Sequence, residues 1–143
     1  MCLIILAHQI SRGLPLIVAA NRDEFFMRPR EAATFWISNL NTSEILAGKD
    51  LKAQGTWLGI TRSGKFAAIT NIRETSRKAH NPISRGQLPL EYLLSEKSPI
   101  EFANELSSKF LQYEGFNLLL ADKDNLIFLN SSTQSISKLQ PGI

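Results

Sequence analysis

The chain has one cysteine, two histidines and no apolar run near the ~20 residues that a membrane-spanning helix requires. A single cysteine cannot close an internal disulfide, which excludes a disulfide-stapled secreted scaffold. His8 and His80 are too few and too far apart for a metal site, and Cys2 stands at ligand spacing from neither, so no metal or cofactor is expected. No serine occupies a Gly-x-Ser-x-Gly setting, so a nucleophile elbow is absent. Gly59 to Lys65 matches the opening of a phosphate-binding loop, but residue 66 is Phe where the magnesium-binding hydroxyl would stand. The residues that follow also read as a strand rather than a helix. There is no internal repeat, and low complexity is confined to Ser131–Ser137. The apolar start, Met1 to Leu6, has no basic leader before it and does not read as a signal peptide, so a reducing, cytoplasmic location is expected.

What is present suits a globular domain. A chain of 143 residues buries roughly 70% of its unfolded surface on folding, so a single domain over residues 1–143 needs no covalent or metal staple. Charge is unevenly placed. Residues 1–86 hold 12 Lys/Arg against 6 Asp/Glu, and residues 87–143 hold 4 against 7. The excess is densest from Arg62 to Arg85, where six basic residues face only Glu74. Such a stretch suits either a solvated face or an anionic ligand. It lacks the aromatic ladder that stacked bases need, so nucleic acid is not expected as a partner.

Two short apolar runs, Cys2–Ala7 and Leu16–Ala20, flank turn chemistry at residues 9–15 and suggest a hairpin of buried strands. Arg28 to Thr56 reads as irregular, with Ala47-Gly48-Lys49-Asp50 as a loop. Trp57–Thr61 and Phe66–Thr70 flank Arg62-Ser63-Gly64-Lys65, the clearest hairpin, and residues 72–85 read as a loop. A helix is expected from Pro89 to Glu96. A second starts at Ser98, with Pro99 at its first position and Glu101 closing a capping box, and runs on through Phe110 to Gly115. A last hairpin joins Phe116–Ala121 to Leu126–Asn130, and Ser131 to Ile143 reads as a Ser-rich tail. About six strands and two helices, in the order strands, helices, strands, predict an α+β fold with largely antiparallel pairing.

Three positions can carry chemistry. Cys2 follows the initiator methionine, and a small residue there permits removal of Met1. The product would hold a free α-amine and a thiol on one residue. With an unperturbed pKa of about 7.7–8.0, the amine can take the thiol proton and activate the nucleophile without a histidine. On the pattern alone, the more ordinary reading of Cys2 is a small hydrophobe at the edge of the core. Asn21-Arg22-Asp23-Glu24 follows a buried strand. If the two runs pair, Asp23 lies near Cys2, where a carboxylate can hold the α-ammonium and an arginine can lower the thiol pKa. The same residues equally suit a solvated turn. Asn71 ends an apolar strand, either as an oxyanion donor or as an ordinary strand terminator.

These residues stand among Met1-Cys2-Leu3-Ile4, Ala19-Ala20-Asn21-Arg22-Asp23-Glu24-Phe25, Arg28-Pro29, Ala47-Gly48-Lys49-Asp50-Leu51, Gly55-Thr56-Trp57-Leu58-Gly59, Phe66-Ala67-Ala68-Ile69-Thr70-Asn71 and Ser84-Arg85-Gly86. In that order and spacing they resemble the NRDE family, the bacterial and eukaryotic relatives of the transport and Golgi organisation protein 2. The resemblance implies an N-terminal nucleophile hydrolase-like αββα sandwich, akin to penicillin V acylase. It implies Cys2 as processed nucleophile, Asp23 as the carboxylate near its amine and Asn71 as an oxyanion-hole contributor. The acylases carry an arginine three residues before that aspartate. Here Ala20 stands there and the arginine is Arg22. Family members also continue past Pro141-Gly142-Ile143 into a Gly-Leu-Ser-Asn segment whose asparagine would supply a second oxyanion donor. The chain is therefore expected to be the N-terminal portion of the domain, with the sandwich incomplete and the truncated chain inactive for want of that donor. The function implied is an amidohydrolase acting on linear amides. The alternative is a non-enzymatic carrier or trafficking protein for haem or lipid-like ligands, with His8, His80, Cys2 or the basic stretch at the ligand. An incomplete sandwich exposes a sheet edge or face, so a homo-oligomer is also expected.

Overall fold

The computed structural model describes residues 2–36, 44–73 and 83–143, and among these short apolar runs, with two more polar edge segments, form nine strands. β1 (Leu3–Ser11) and β2 (Leu14–Asn21) form a two-stranded antiparallel sheet. β3 (Arg30–Trp36), β4 (Ile45–Asp50), β5 (Leu58–Thr61), β6 (Phe66–Asn71), β7 (Phe116–Ala121), β8 (Leu126–Asn130) and β9 (Ser135–Lys138) form a seven-stranded sheet. Its strands lie in sequence order and every pairing is antiparallel. Two helices, α1 (Gln87–Leu94) and α2 (Pro99–Ser107), connect β6 to β7. The α+β class and antiparallel pairing hold.

Period-2 alternation sends the central strands' side chains to two faces. Ala67, Ile69, Leu118, Leu120, Ile127 and Leu129 face the helices, where they pack with Leu88, Tyr92, Leu93, Phe102 and Leu106. Phe66, Ala68, Leu119, Ala121 and Leu126 face the other way and pack against Ile4, Leu6, Leu16 and Val18 of the hairpin. The order of layers is helices, large sheet, hairpin. The hairpin strands are therefore not buried as expected: with one face uncovered, only His8 of β1 and β2 is buried, and Leu3, Ile5 and Ile17 are exposed at 56%, 54% and 44%.

Four local expectations need correction. Residues 30–36 and 45–50 are strands, not irregular chain. β3 is exposed at all but Trp36, so its sequence shows no apolar alternation, and the supposed 47–50 loop completes β4. The second helix stops at Ser107 instead of Gly115. The hydroxyls of Ser107 and Ser108 donate back to the carbonyls of Asn104 and Glu105, competing with the helix ladder. The chain then makes a 3₁₀ turn at Phe110–Gln112 and leaves Leu111 exposed. The first helix lies two residues earlier than expected. The Ser-rich tail contains the edge strand β9, held by the register of Ile127 with Lys138 and Asn130 with Ser135. These additions raise the strand count from about six to nine. The α2 start is as read: Ser98 and Glu101 form the reciprocal capping box. Lys65 precedes a strand, not a helix, as the rejection of a phosphate-binding loop requires.

Candidate active site

The β1–β2 register places Leu3 opposite Asn21. Whatever precedes β1 must therefore lie beside whatever follows β2, and this brings Cys2 to Asp23. The Asp23 N–H donates to Cys2 Sγ at 3.4 Å, and the thiol lies 3.8 Å from the Asp23 carbonyl oxygen. Asn21 Oδ1 accepts the Leu3 N–H at 3.2 Å and closes the hairpin end. The residue that meets the sulfur thus comes from the chain that leaves the end of β2.

Cys2, Arg22, Asp23 and Asn71 line one cleft of about 670 Å³. Asn71 reaches it from the end of β6, on the other sheet. Arg28 and Asp50 line it on the side of Arg22, and Thr56, Trp57 and residues 83–86 supply a further wall. That wall depends on a close backbone crossing. The Thr56 N–H donates to Gly86 O at 3.0 Å. A Cβ on Gly55 would lie 2.5 Å from the carbonyl of Gly86. Only glycine lets the two backbones meet there.

Arg22 and Asp23 would point to opposite faces of a regular strand. The strand ends at Asn21, so they are free of that constraint. Arg22 Nη2 donates to Glu24 Oε2 at 2.9 Å and lies 3.8 Å from Asp50. Arg28 donates to Asp50 Oδ2 through Nε at 2.8 Å, with its Nη2 at 2.7 Å, and lies 3.8 Å from Glu24. Burial would raise the Asp50 carboxyl, but the Arg28 hydrogen bond and the N–H groups of Ala53 and Lys52 bring it below the usual range. The Asp50 hydrogen bond in turn raises Arg28. On the opposite rim, Arg85 donates to Gly115 O at 2.9 Å and lies 3.5 Å from Glu114. Burial lowers its pKa, partly offset by Glu114.

Sequence reasoning missed Arg28, Asp50, Arg85 and Glu114 as members of this cleft. Arg28, Asp50 and Arg85 each stand in a motif block, but no spacing rule links residues 28, 50 and 85. The meeting of Asp50, at the end of β4, with the chain after β2 links the first two, and the crossing of Thr56 with Gly86 brings in residue 85. Other sequence features are dispersed. His8 is 4% exposed and sits inside β1, where its backbone pairs with Gly142. The basic stretch is not one surface: Arg62 pairs with Glu44, and Lys65 donates to the carbonyls of Ser95 and Lys97 beyond α1. His80, Arg77 and Lys78 lie outside the described residues. Among the described residues there is no cluster of acidic, His and Cys side chains fit for a metal, and no helix is long and apolar enough to cross a membrane.

The family model described as Transport and Golgi organisation 2 matches residues 1–143. The Transport and Golgi organization protein 2 homolog of Bos taurus is 44% identical over 110 residues, covering 75% of this chain and 38% of the cattle protein. The human homolog is 41% identical over the same length and coverage. The Drosophila melanogaster protein of that name is 31% identical over 116 residues, covering 75% of this chain and 40% of the fly protein. The chain thus aligns with about two-fifths of each relative's length. With the match running over all 143 residues, the chain belongs to the Transport and Golgi organisation 2 family.

Proposed function

We propose that Cys2 is the nucleophile of an amidohydrolase acting on linear amides, C–N bonds other than peptide bonds, once Met1 has been removed. One observation carries this reading. Cys2, which removal of Met1 would make N-terminal, shares a cleft with a carboxylate residue, Asp23, and an amide side chain, Asn71, that lies 69 positions away in sequence. The α-amine takes the Sγ proton and the thiolate attacks the amide carbonyl carbon. Asn71 donates an N–H to the oxyanion that forms, and Asp23 holds the α-ammonium near the sulfur. The ammonium returns its proton to the departing amine as the C–N bond breaks, leaving a thioester. Water, deprotonated by the α-amine, attacks the thioester, and the thiol leaves as acid product is released. Arg22 is already compensated by Glu24 and Asp50, so it serves to place the Asp23 turn rather than to act on the thiol. The layering of helices, large sheet and hairpin suits part of an αββα sandwich, and a reducing cytoplasm suits a free thiol.

Intact mass and thiol labelling across pH test this. The mature protein should lack Met1, and Cys2 should label well below the range of an ordinary thiol near pKa 8.5. Cys2→Ser should abolish labelling. On an acyl-amide substrate that the wild type turns over, Asn71→Ala should lower the rate about 10²–10³-fold. Retained Met1 or an ordinary thiol profile would sink the reading.

A second reading, a carrier of lipid-like ligands, rests on a separate cleft. Leu16, Val18, Trp57, Leu58, Ile60 and Phe66 line an opening of about 590 Å³ between β2 and the large sheet. Burial of His8 removes it as an accessible haem ligand. Saturable binding of a fluorescent fatty acid, lost in Ile60→Glu, is the outcome expected of a carrier. Non-saturating uptake by the wild type rejects it.

A further inference from the structure

We propose that Asp50 is the positioning residue for the nucleophile, an inference that rests on the amidohydrolase reading of Cys2. Asp50 touches neither Cys2 nor Asp23 in any contact described above. It holds the segment after β2 that carries Asp23, whose N–H meets the sulfur. Its two carboxylate oxygens do separate work. Oδ1 accepts the N–H groups of Lys52 and Ala53, at 3.0 and 3.2 Å, and so shapes the chain leaving β4. Oδ2 accepts both Arg28 contacts, at 2.8 and 2.7 Å. A backbone bond from the Leu51 N–H to Pro29 O, at 3.1 Å, ties the same two segments together.

From Arg28 the network runs back towards the cysteine. Glu24 lies between Arg22, at 2.9 Å, and Arg28, at 3.8 Å, while its Oε1 accepts the Phe25 N–H at 3.0 Å. Arg22 lies 3.8 Å from Asp50, which completes a ring of two cations and two anions. Asp23 is the residue between two members of that ring, so its backbone is held from both sides. Its N–H points at Cys2 Sγ. A donor at that sulfur favours the thiolate. Asp50 is the least exposed carboxylate of the ring, its side chain 13% accessible against 22% for Glu24. It therefore spends the least of its charge on solvent.

Asp50→Asn separates positioning from simple electrostatics because the two predict opposite signs. The amide keeps the volume and the Oδ1 acceptor but removes the negative charge. Were Asp50 only a nearby anion, its loss would make the surroundings more positive and lower the Cys2 pKa. If Asp50 holds the turn, the Asp23 N–H moves off Sγ and the pKa rises. In the full-length, Met1-free protein we expect the labelling profile of Asp50→Asn to move to higher pH. The rate at neutral pH should fall roughly three- to tenfold, as the thiolate fraction drops. Asp50→Glu should recover part of the shift. Arg28→Lys keeps the charge but not the fork, and should move the profile the same way by less; it stands in should Asp50→Asn fail to fold. A profile unmoved, or moved to lower pH, overturns the proposal.

The Asp23 amide resonance, read by nitrogen–proton correlation, separates this idea from the reading beneath it. It should shift in Asp50→Asn whether or not Cys2 is a nucleophile. An ordinary wild-type thiol with a shifted Asp23 amide defeats the nucleophile and keeps the clamp. An activated wild-type thiol with an unmoved Asp23 amide defeats the clamp alone.

Discussion

β7 of the large sheet and the two strands of the hairpin are similarly apolar and meet different fates. In β7, Phe-Asn-Leu-Leu-Leu-Ala, every residue but Asn117 is buried. In β1 and β2, which include Leu-Ile-Ile-Leu-Ala and Leu-Ile-Val-Ala-Ala, only His8 is buried. The difference is what lies across each face. β7 has the helices on one side and the hairpin on the other. The hairpin has the large sheet on one side only. Burial is thus a property of the layer, and the same residue type stabilises the fold in one sheet and contributes little in the other. The candidate site lies where the two sheets meet, with Cys2 and Asp23 from the less covered layer and Asn71 from the well-packed one.

The comparison can be broken or sharpened by substitution, from the largest effect to the smallest. Leu118→Ala, at a fully buried position of β7, should cost about 2–5 kcal/mol in urea unfolding. A loss under 1 kcal/mol would mean that the large sheet is not the stabilising layer. Gly55→Ala should cost about 1–3 kcal/mol, since the new Cβ meets the Gly86 carbonyl at 2.5 Å and backbone must move. The same change should disturb Cys2 labelling by shifting the wall of the cleft. Ser98→Ala removes one half of the α2 capping box and should cost about 1 kcal/mol by the same measurement.

Acid titration reads the Arg28–Asp50 pair. The folded Asp50 pKa lies below its ordinary 3.8. The stability it contributes is complete above that value and is lost as pH falls through the lower, folded value. Asp50→Asn should remove this part of the acid dependence, leaving a flatter stability curve below pH 3.8. At the small end, Ile5→Ala should change stability by about 0.5 kcal/mol or less, because Ile5 is already 54% exposed. A cost as large as that of Leu118→Ala would show that the outer face of the hairpin is covered in solution.

Much of the large sheet's centre was legible. The hairpins around Gly64 and Asp122–Asn125 have short apolar runs on either side of turn residues, and the start of α2 has its reciprocal cap. What sequence reasoning lost was the periphery. β3 and β9 are edge strands whose residues are mostly in water, so apolar periodicity has nothing to report. The α2 end was misread because Phe110 and Leu111 continue a helical spacing that Ser107 and Ser108 interrupt. In the site, Cys2, Arg22, Asp23 and Asn71 were nameable one by one, each as a local anomaly at a strand end. Arg28 and Asp50 look like ordinary surface charges until β4 brings residue 50 against the chain that leaves β2.

The sequence by itself determined the local elements and the one thiol that processing can place at a chain terminus. Apolar spacing, capping and turn chemistry act over a few residues and can be read in order. Tertiary structure alone decided which apolar strands are buried and which charges pair. Both depend on segments far apart in the chain meeting across a sheet, and neither burial nor a salt bridge has a short-range signature.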